Sequence, residues 1–176
     1  MKKVFSLLLV LILCLLSVSA NASGVFVPDY PTFMDAFCAN LDEKLAESIK
    51  LHYADNGVWK ETIYLSSYGL IGDKLVKIDP EWKIGFLDKL EISVTVDAYE
   101  TYQQEFDSLI RAAMLALRND WTDDDVSAMR EALLISTIVS TPVESMHQYT
   151  NSGVYRYSFH KSYGEYTFTI EFSLYS

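Results

Sequence analysis

The side chains best equipped for chemistry in this 176-residue chain are His52, His147 and His160, the cysteine Cys38, and the acidic run "NDWTDDDVSAMREAL" from Asn119 to Leu133. The run places Asp120, Asp123, Asp124 and Asp125 close together and continues to Glu131, which are the residue types of a calcium-binding EF-hand loop. Started at Asp120, that frame puts Asp120, Thr122 and Asp124 at its first, third and fifth positions and Glu131 at the twelfth. The sixth position, where the loop's sharp turn needs glycine, is Asp125, and the ninth is Ala128. Val126, Met129 and Leu133 recur at helical spacing, so the same residues already read as a helix, and a continuous helix cannot wrap an ion. Thr122 is then the N-cap, Asp125 the acid of a capping box, and the aspartates complement the positive end of the helix dipole.

The histidines form no H-x-H or H-x-x-x-H pair, and no Cys or His cluster has zinc-ligand spacing, so neither a metal nor a cofactor is expected. No G-x-S-x-G elbow, P-loop or G-x-G-x-x-G fingerprint occurs, and "YGLIG" is none of these. Cys38 shares an apolar stripe with Met34, Leu41 and Leu45 well inside a helix, which marks a small buried hydrophobe and not a nucleophilic thiolate. His52, near that helix's end, reads as a C-terminal capping residue.

One polar constellation remains, at the C-terminus. "GVYRYSFHKSYGEYTFTIEFSLYS" is a β-hairpin in which Tyr155, Tyr157 and Phe159 alternate on the first strand and Tyr166, Phe168, Ile170, Phe172 and Leu174 on the second. A four-residue loop, Lys161 to Gly164, pairs Phe159 with Tyr166 and Tyr157 with Phe168, gathering the large residues on one face. The opposite face collects Arg156, Ser158, His160, Glu165, Thr167, Thr169 and Glu171. In that register His160 lies opposite Glu165, and Arg156 lies opposite Thr169 and diagonal to Glu171. Arg156, His160, Glu165, Thr169 and Glu171 are the candidate binding residues. A carboxylate-histidine pair there could also move a proton.

The elements that must carry this hairpin follow from periodicity. Phe33, Phe37, Leu41, Leu45 and Ile49 form one helical stripe, with Thr32 as its N-cap and Gly57 as its stop. Strands are expected in "VWKETIYLSS", at Leu75 to Ile78, and in "KLEISVTVDAY", where Leu90, Ile92, Val94 and Val96 alternate with polar residues. "YETYQQEFDSLIRAAMLALRND" is a long helix with Tyr102, Phe106, Leu109, Ile110, Ala113 and Leu117 on one stripe, and a further helix runs from Asp123 to about Ser136. The order, helix then strands and helices then hairpin, hints at an internal duplication without a shared sequence signature. Alternating hydrophobicity predicts an α+β fold: an antiparallel sheet of four to five strands, three helices packed on one face, and a C-terminal β-hairpin.

Compartment and charge narrow the function. Lys2 and Lys3, the apolar run Val4 to Leu16, and the Ala20-Asn21-Ala22 triplet have the layout of a secretory signal peptide over residues 1–22, leaving a single α+β domain over 23–176. Removal of that segment takes away two lysines and no acids, moving the formal net charge from -10 to -12. Such acidity argues against nucleic acid, which needs a basic footprint, and against anionic membrane surfaces. No stable membrane insertion is expected after cleavage. Loss of Cys14 leaves Cys38 without an intramolecular disulfide partner. The sequence is thus expected to encode a secreted or periplasmic, non-catalytic binding or accessory domain acting on a protein, peptide or glycan. The alternatives are a small hydrolase using His160 with a carboxylate, and an assembly subunit pairing through the strand Glu165 to Tyr175.

Overall fold

The computed structural model describes residues 27–50, 63–66, 69–70, 76–83 and 85–173. The expectations for the signal segment, His52 and the Gly57 stop lie outside them. Among the described residues the elements run α1 (Tyr30–Ala39), α2 (Glu43–Lys50), β1 (Ile63–Ser66), β2 (Gly69–Leu70), β3 (Val76–Lys83), β4 (Phe86–Thr95), α3 (Val96–Leu117), α4 (Asp123–Ala132), α5 (Ile135–Ser140), β5 (Met146–Ser152), β6 (Tyr155–Ser162) and β7 (Glu165–Phe172). The strands form one antiparallel sheet in the order β2-β1-β3-β4-β7-β6-β5. The α+β class, the antiparallel sheet with helices on it, and the C-terminal hairpin agree with the sequence. Five strands are long, and the short β1 and β2 extend one edge.

The order has a symmetry that the sequence only hinted at. Each half contributes helices and then strands, and the two halves meet through their last strands, β4 and β7, while β1 and β5 lie equally far from that centre. The apolar sides of the long strands fall into cross-strand rows. Val76, Val94 and Tyr166 form one, Ile78, Ile92, Phe168 and Phe159 the next, and Pro80, Leu90, Ile170 and Tyr157 a third. On this side α3 crosses β4 and β7, α1 lies along α3, and α5 covers β6. Phe106, Leu109, Ile110, Ala113 and Leu117 of α3 are buried together with Phe33 and Phe37 of α1. Fully buried Phe159 and Phe168 each contribute about 1.5–3 kcal/mol by leaving water. No helix among the described residues is long and apolar enough to cross a membrane.

Several boundaries differ from the sequence-based expectation, each for a local reason. The first helix begins one turn earlier, because Asp29 accepts from the Thr32 N–H at 3.0 Å and Pro31 occupies the first turn. It also breaks after Ala39: the Asn40 side chain donates back to the Ala36 carbonyl at 2.8 Å, and Asp42 accepts from the Leu45 N–H at 3.0 Å, starting α2. The strand expected through Tyr99 ends at Thr95, and α3 starts directly from it with a kink at Tyr102. The helix expected to continue to Ser136 stops at Ala132, because Leu134 adopts a left-handed conformation, and α5 begins anew at Ile135. The chain's last described strand, β7, lies between β4 and β6. Glu165–Phe172 is hydrogen-bonded on both sides and offers no free edge there; at that end of the sheet the edge strand is β5.

Candidate functional site

The final hairpin closes more tightly than a four-residue loop. Ser162 pairs with Glu165, leaving Tyr163 and Gly164 alone in the turn at φ +49° and +82°. Two successive positive φ values define the I′ geometry, whose twist matches that of the flanking strands. The register therefore slips by two residues. Phe159 faces Phe168 and Tyr157 faces Ile170, His160 faces Thr167 instead of Glu165, and Arg156 faces Glu171 instead of Thr169. A slip of two preserves the faces, so Arg156, His160, Glu165, Thr169 and Glu171 remain together on the side away from the core.

That side is ordered in rows of five across β3, β4, β7, β6 and β5. One reads Lys77, Ser93, Thr167, His160, His147; the next Asp79, Glu91, Thr169, Ser158, Tyr149; the third Glu81, Lys89, Glu171, Arg156, Asn151. The centre of the face is densely covered, since Ser93, Thr167 and Thr169 are buried despite being polar. Toward β3 and β4 the charges pair along each strand, Lys77 with Asp79 at 2.9 Å and Lys89 with Glu91 at 2.8 Å. Those lysines are occupied by carboxylates of their own sheet.

Toward β5 the character changes. Tyr149 is 55% exposed, the guanidinium of Arg156 lies 5.4 Å from its ring centroid, and the His147 ring stacks beside it at 6.0 Å. His160, half-buried, meets His147 edge-on with ring centroids 5.9 Å apart. Burial, and then the neighbouring His147, hold the His160 pKa below its ordinary value, outweighing Glu91 and Glu165. Among the described residues no hydrogen bond or ion pair joins His160 to a carboxylate. Its nearest defined ring partner is a second histidine.

The contribution of β5, namely His147, Tyr149 and Asn151, escaped the sequence reading. Its seven residues alternate in exposure without one being buried, so hydrophobic periodicity gives no signal. The turn did give one: Ser152-Gly153 precedes an aromatic strand, and Gly153 takes φ +62° at the first of two turn positions, where a II′ turn wants glycine.

The aspartate run performs the capping expected of it. Thr122 Oγ1 accepts from the Asp125 N–H at 3.4 Å, and Asp125 Oδ2 accepts from the Thr122 N–H at 2.8 Å, completing the capping box. Asp123 is taken by Arg111, at 2.6 and 3.2 Å, and Asp120 by Arg118, at 3.0 and 3.1 Å. These carboxylates point to different partners and do not converge. Among the described residues no group of three or more His, Cys, Asp or Glu side chains is arranged to hold a metal ion.

Two grooves lie elsewhere. One of about 590 Å³ is bounded by Val96 and Asp97, the Pro142 to Ser145 segment and the Tyr163-Gly164 turn; the other, about 390 Å³, lies between α4 and α5. Neither is lined by His160. No protein-family model matches the chain, and neither a curated protein nor a solved structure gives a match.

Proposed function

We propose that the chain is an exported, non-catalytic binding domain that holds an extracytoplasmic protein, peptide or glycan on the sheet face opposite α1, α3 and α5, near the β5–β6 edge. The observation carrying this reading is Tyr149, an exposed aromatic ring flanked by Arg156 and His147. Such a ring offers an apolar plane to a sugar or a peptide unit. Arg156, Asn151 and Glu171, one row of the same face, supply donors and acceptors that give the contact direction. The hydrolase alternative draws less support, because His160 is set against His147 and a threonine, with no carboxylate hydrogen-bonded to it among the described residues.

The test combines binding and turnover. Purified protein is screened against peptide and glycan arrays and envelope extract, beside a panel of ester, peptide and glycoside substrates. The proposal expects a captured partner that is lost in Tyr149→Ala and in Arg156→Ala, with unchanged melting temperature. Turnover abolished by His160→Ala, with no partner captured, would overturn it.

A further inference from the structure

The fold sets His147 and His160 directly opposite one another on β5 and β6. Both point away from the core, His147 exposed and His160 half-buried. Two imidazoles binding one ion through ring nitrogens at roughly 2.0–2.1 Å place their centroids roughly 4.5–5.2 Å apart. The observed centroid separation of 5.9 Å is longer than that range by about 1 Å, an approach that a change of side-chain torsion in the exposed ring would have to supply.

We propose that His147 and His160 form a two-histidine chelate for a borderline divalent transition metal, with Cu²⁺ preferred over Ni²⁺ and Zn²⁺. The protein supplies two nitrogens and the remaining positions are open to water. Imidazole pairs suit these ions and not Mg²⁺ or Ca²⁺, which take oxygen ligands, and copper stands highest in the affinity order for a nitrogen site. Glu91 of β4 and Glu165 of β7 act on His160 from the same face, opposed by Lys89 of β4, and the Arg156 guanidinium lies over the Tyr149 ring that stacks with His147. Neutral imidazole is the ligating form, so the ion and protons compete for the same nitrogens. An ion held here would tie the edge strand to the sheet beside Tyr149. The inference does not depend on any macromolecular partner, since its test uses the metal alone.

Titrations of the purified protein with Cu²⁺, Ni²⁺, Zn²⁺ and Mg²⁺ follow heat and, for copper, the electron paramagnetic resonance spectrum. The expected result is one saturable equivalent, tightest for Cu²⁺ and undetected for Mg²⁺, with nitrogen couplings from imidazole and a raised melting temperature. Affinity should fall steeply as protons compete in mild acid. His147→Ala and His160→Gln should each weaken copper binding at least tenfold. His147 is exposed, so its variant tests the ligand role even if the half-buried position proves sensitive to substitution. Absence of saturable binding, or binding that survives His147→Ala, would overturn the proposal.

Discussion

Arg118 holds Asp120 through two parallel hydrogen bonds, at 3.0 and 3.1 Å, while its remaining terminal nitrogen donates to Ser152 Oγ at 2.7 Å. One guanidinium thus fastens the end of α3 both to the α3–α4 corner and to the β5–β6 turn. The same group lies 4.8 Å from the Trp121 ring centroid. Arg118→Ala removes the Ser152 bond and the cation–ring contact, each worth on the order of 0.5–1 kcal/mol, so it should destabilise by roughly 1–2 kcal/mol. Arg118→Lys should recover only part of this, because an ammonium cannot reproduce the fork. Urea denaturation of both variants measures the difference.

Tyr157 is fully buried beneath Trp121, with ring centroids 5.8 Å apart, and its hydroxyl has no hydrogen-bond partner among the described residues. A buried hydroxyl left unpaired costs about 1–3 kcal/mol. Tyr157→Phe should therefore be neutral or stabilising, by up to about 1 kcal/mol, whereas Phe159→Ala in the next core position should cost roughly 3–5 kcal/mol. A destabilised Tyr157→Phe in thermal melts would show that the hydroxyl has a partner in solution.

Tyr163, fully exposed, holds φ +49° in the β6–β7 turn. Its ring contributes no burial to offset that conformation, which asparagine adopts far more readily. Tyr163→Asn should raise stability by about 0.5–1 kcal/mol. Gly164→Ala meets no steric obstacle, since nothing lies within 4 Å of an added Cβ, yet φ +82° should still cost it roughly 1–2 kcal/mol. Melting temperatures moving in opposite directions for the two variants check both statements.

Acid should weaken the protein in two stages. His160 has its pKa lowered from 6.5 by burial and by His147, so below pH 6.5 the unfolded chain takes up a proton that the folded chain resists. Stability consequently falls as pH drops from 6.5 toward the folded value, and levels off below it. Asp29, Asp120, Asp123 and Asp125 are displaced below 3.8, chiefly by hydrogen bonds from Thr32, Arg118, Arg111 and Thr122 respectively. Their stabilisation is complete above that value and is lost as pH falls through the folded values. Urea midpoints measured across this range should show both stages, with His160→Gln erasing the first and Asp125→Asn reducing the second.

The parts of this architecture written in large apolar residues were legible beforehand. The stripe of Phe106, Leu109, Ile110 and Leu117 and the alternation of Tyr155, Tyr157 and Phe159 each name an element and its buried face. The capping box at Thr122 and Asp125 was legible because its geometry spans one turn. Hairpin register was harder: a four-residue and a two-residue loop keep the same residues on the same face, so periodicity cannot choose between them, and the choice rests on Tyr163 tolerating a positive φ. The strand β5 was hidden because an edge strand with no buried residue has no apolar period. With it were hidden His147 and Tyr149, and so the half of the candidate site that only strand pairing brings together.

The central seam of the sheet joins Thr95 to Glu165 and Lys89 to Glu171, with every residue of α3, α4, α5, β5 and β6 lying between. The β3–β4 hairpin and the β5–β6–β7 meander close over short turns and can assemble early, whereas the seam must wait for distant segments to meet. A chain in which the seam had not yet formed would present the hydrogen-bonding edges of β4 and β7 beside their apolar faces. Those are the features by which chains recruit one another into aggregates. Conditions that open the seam before the rest of the sheet would therefore expose β4 and β7 together, the two edges most able to pair with those of another molecule.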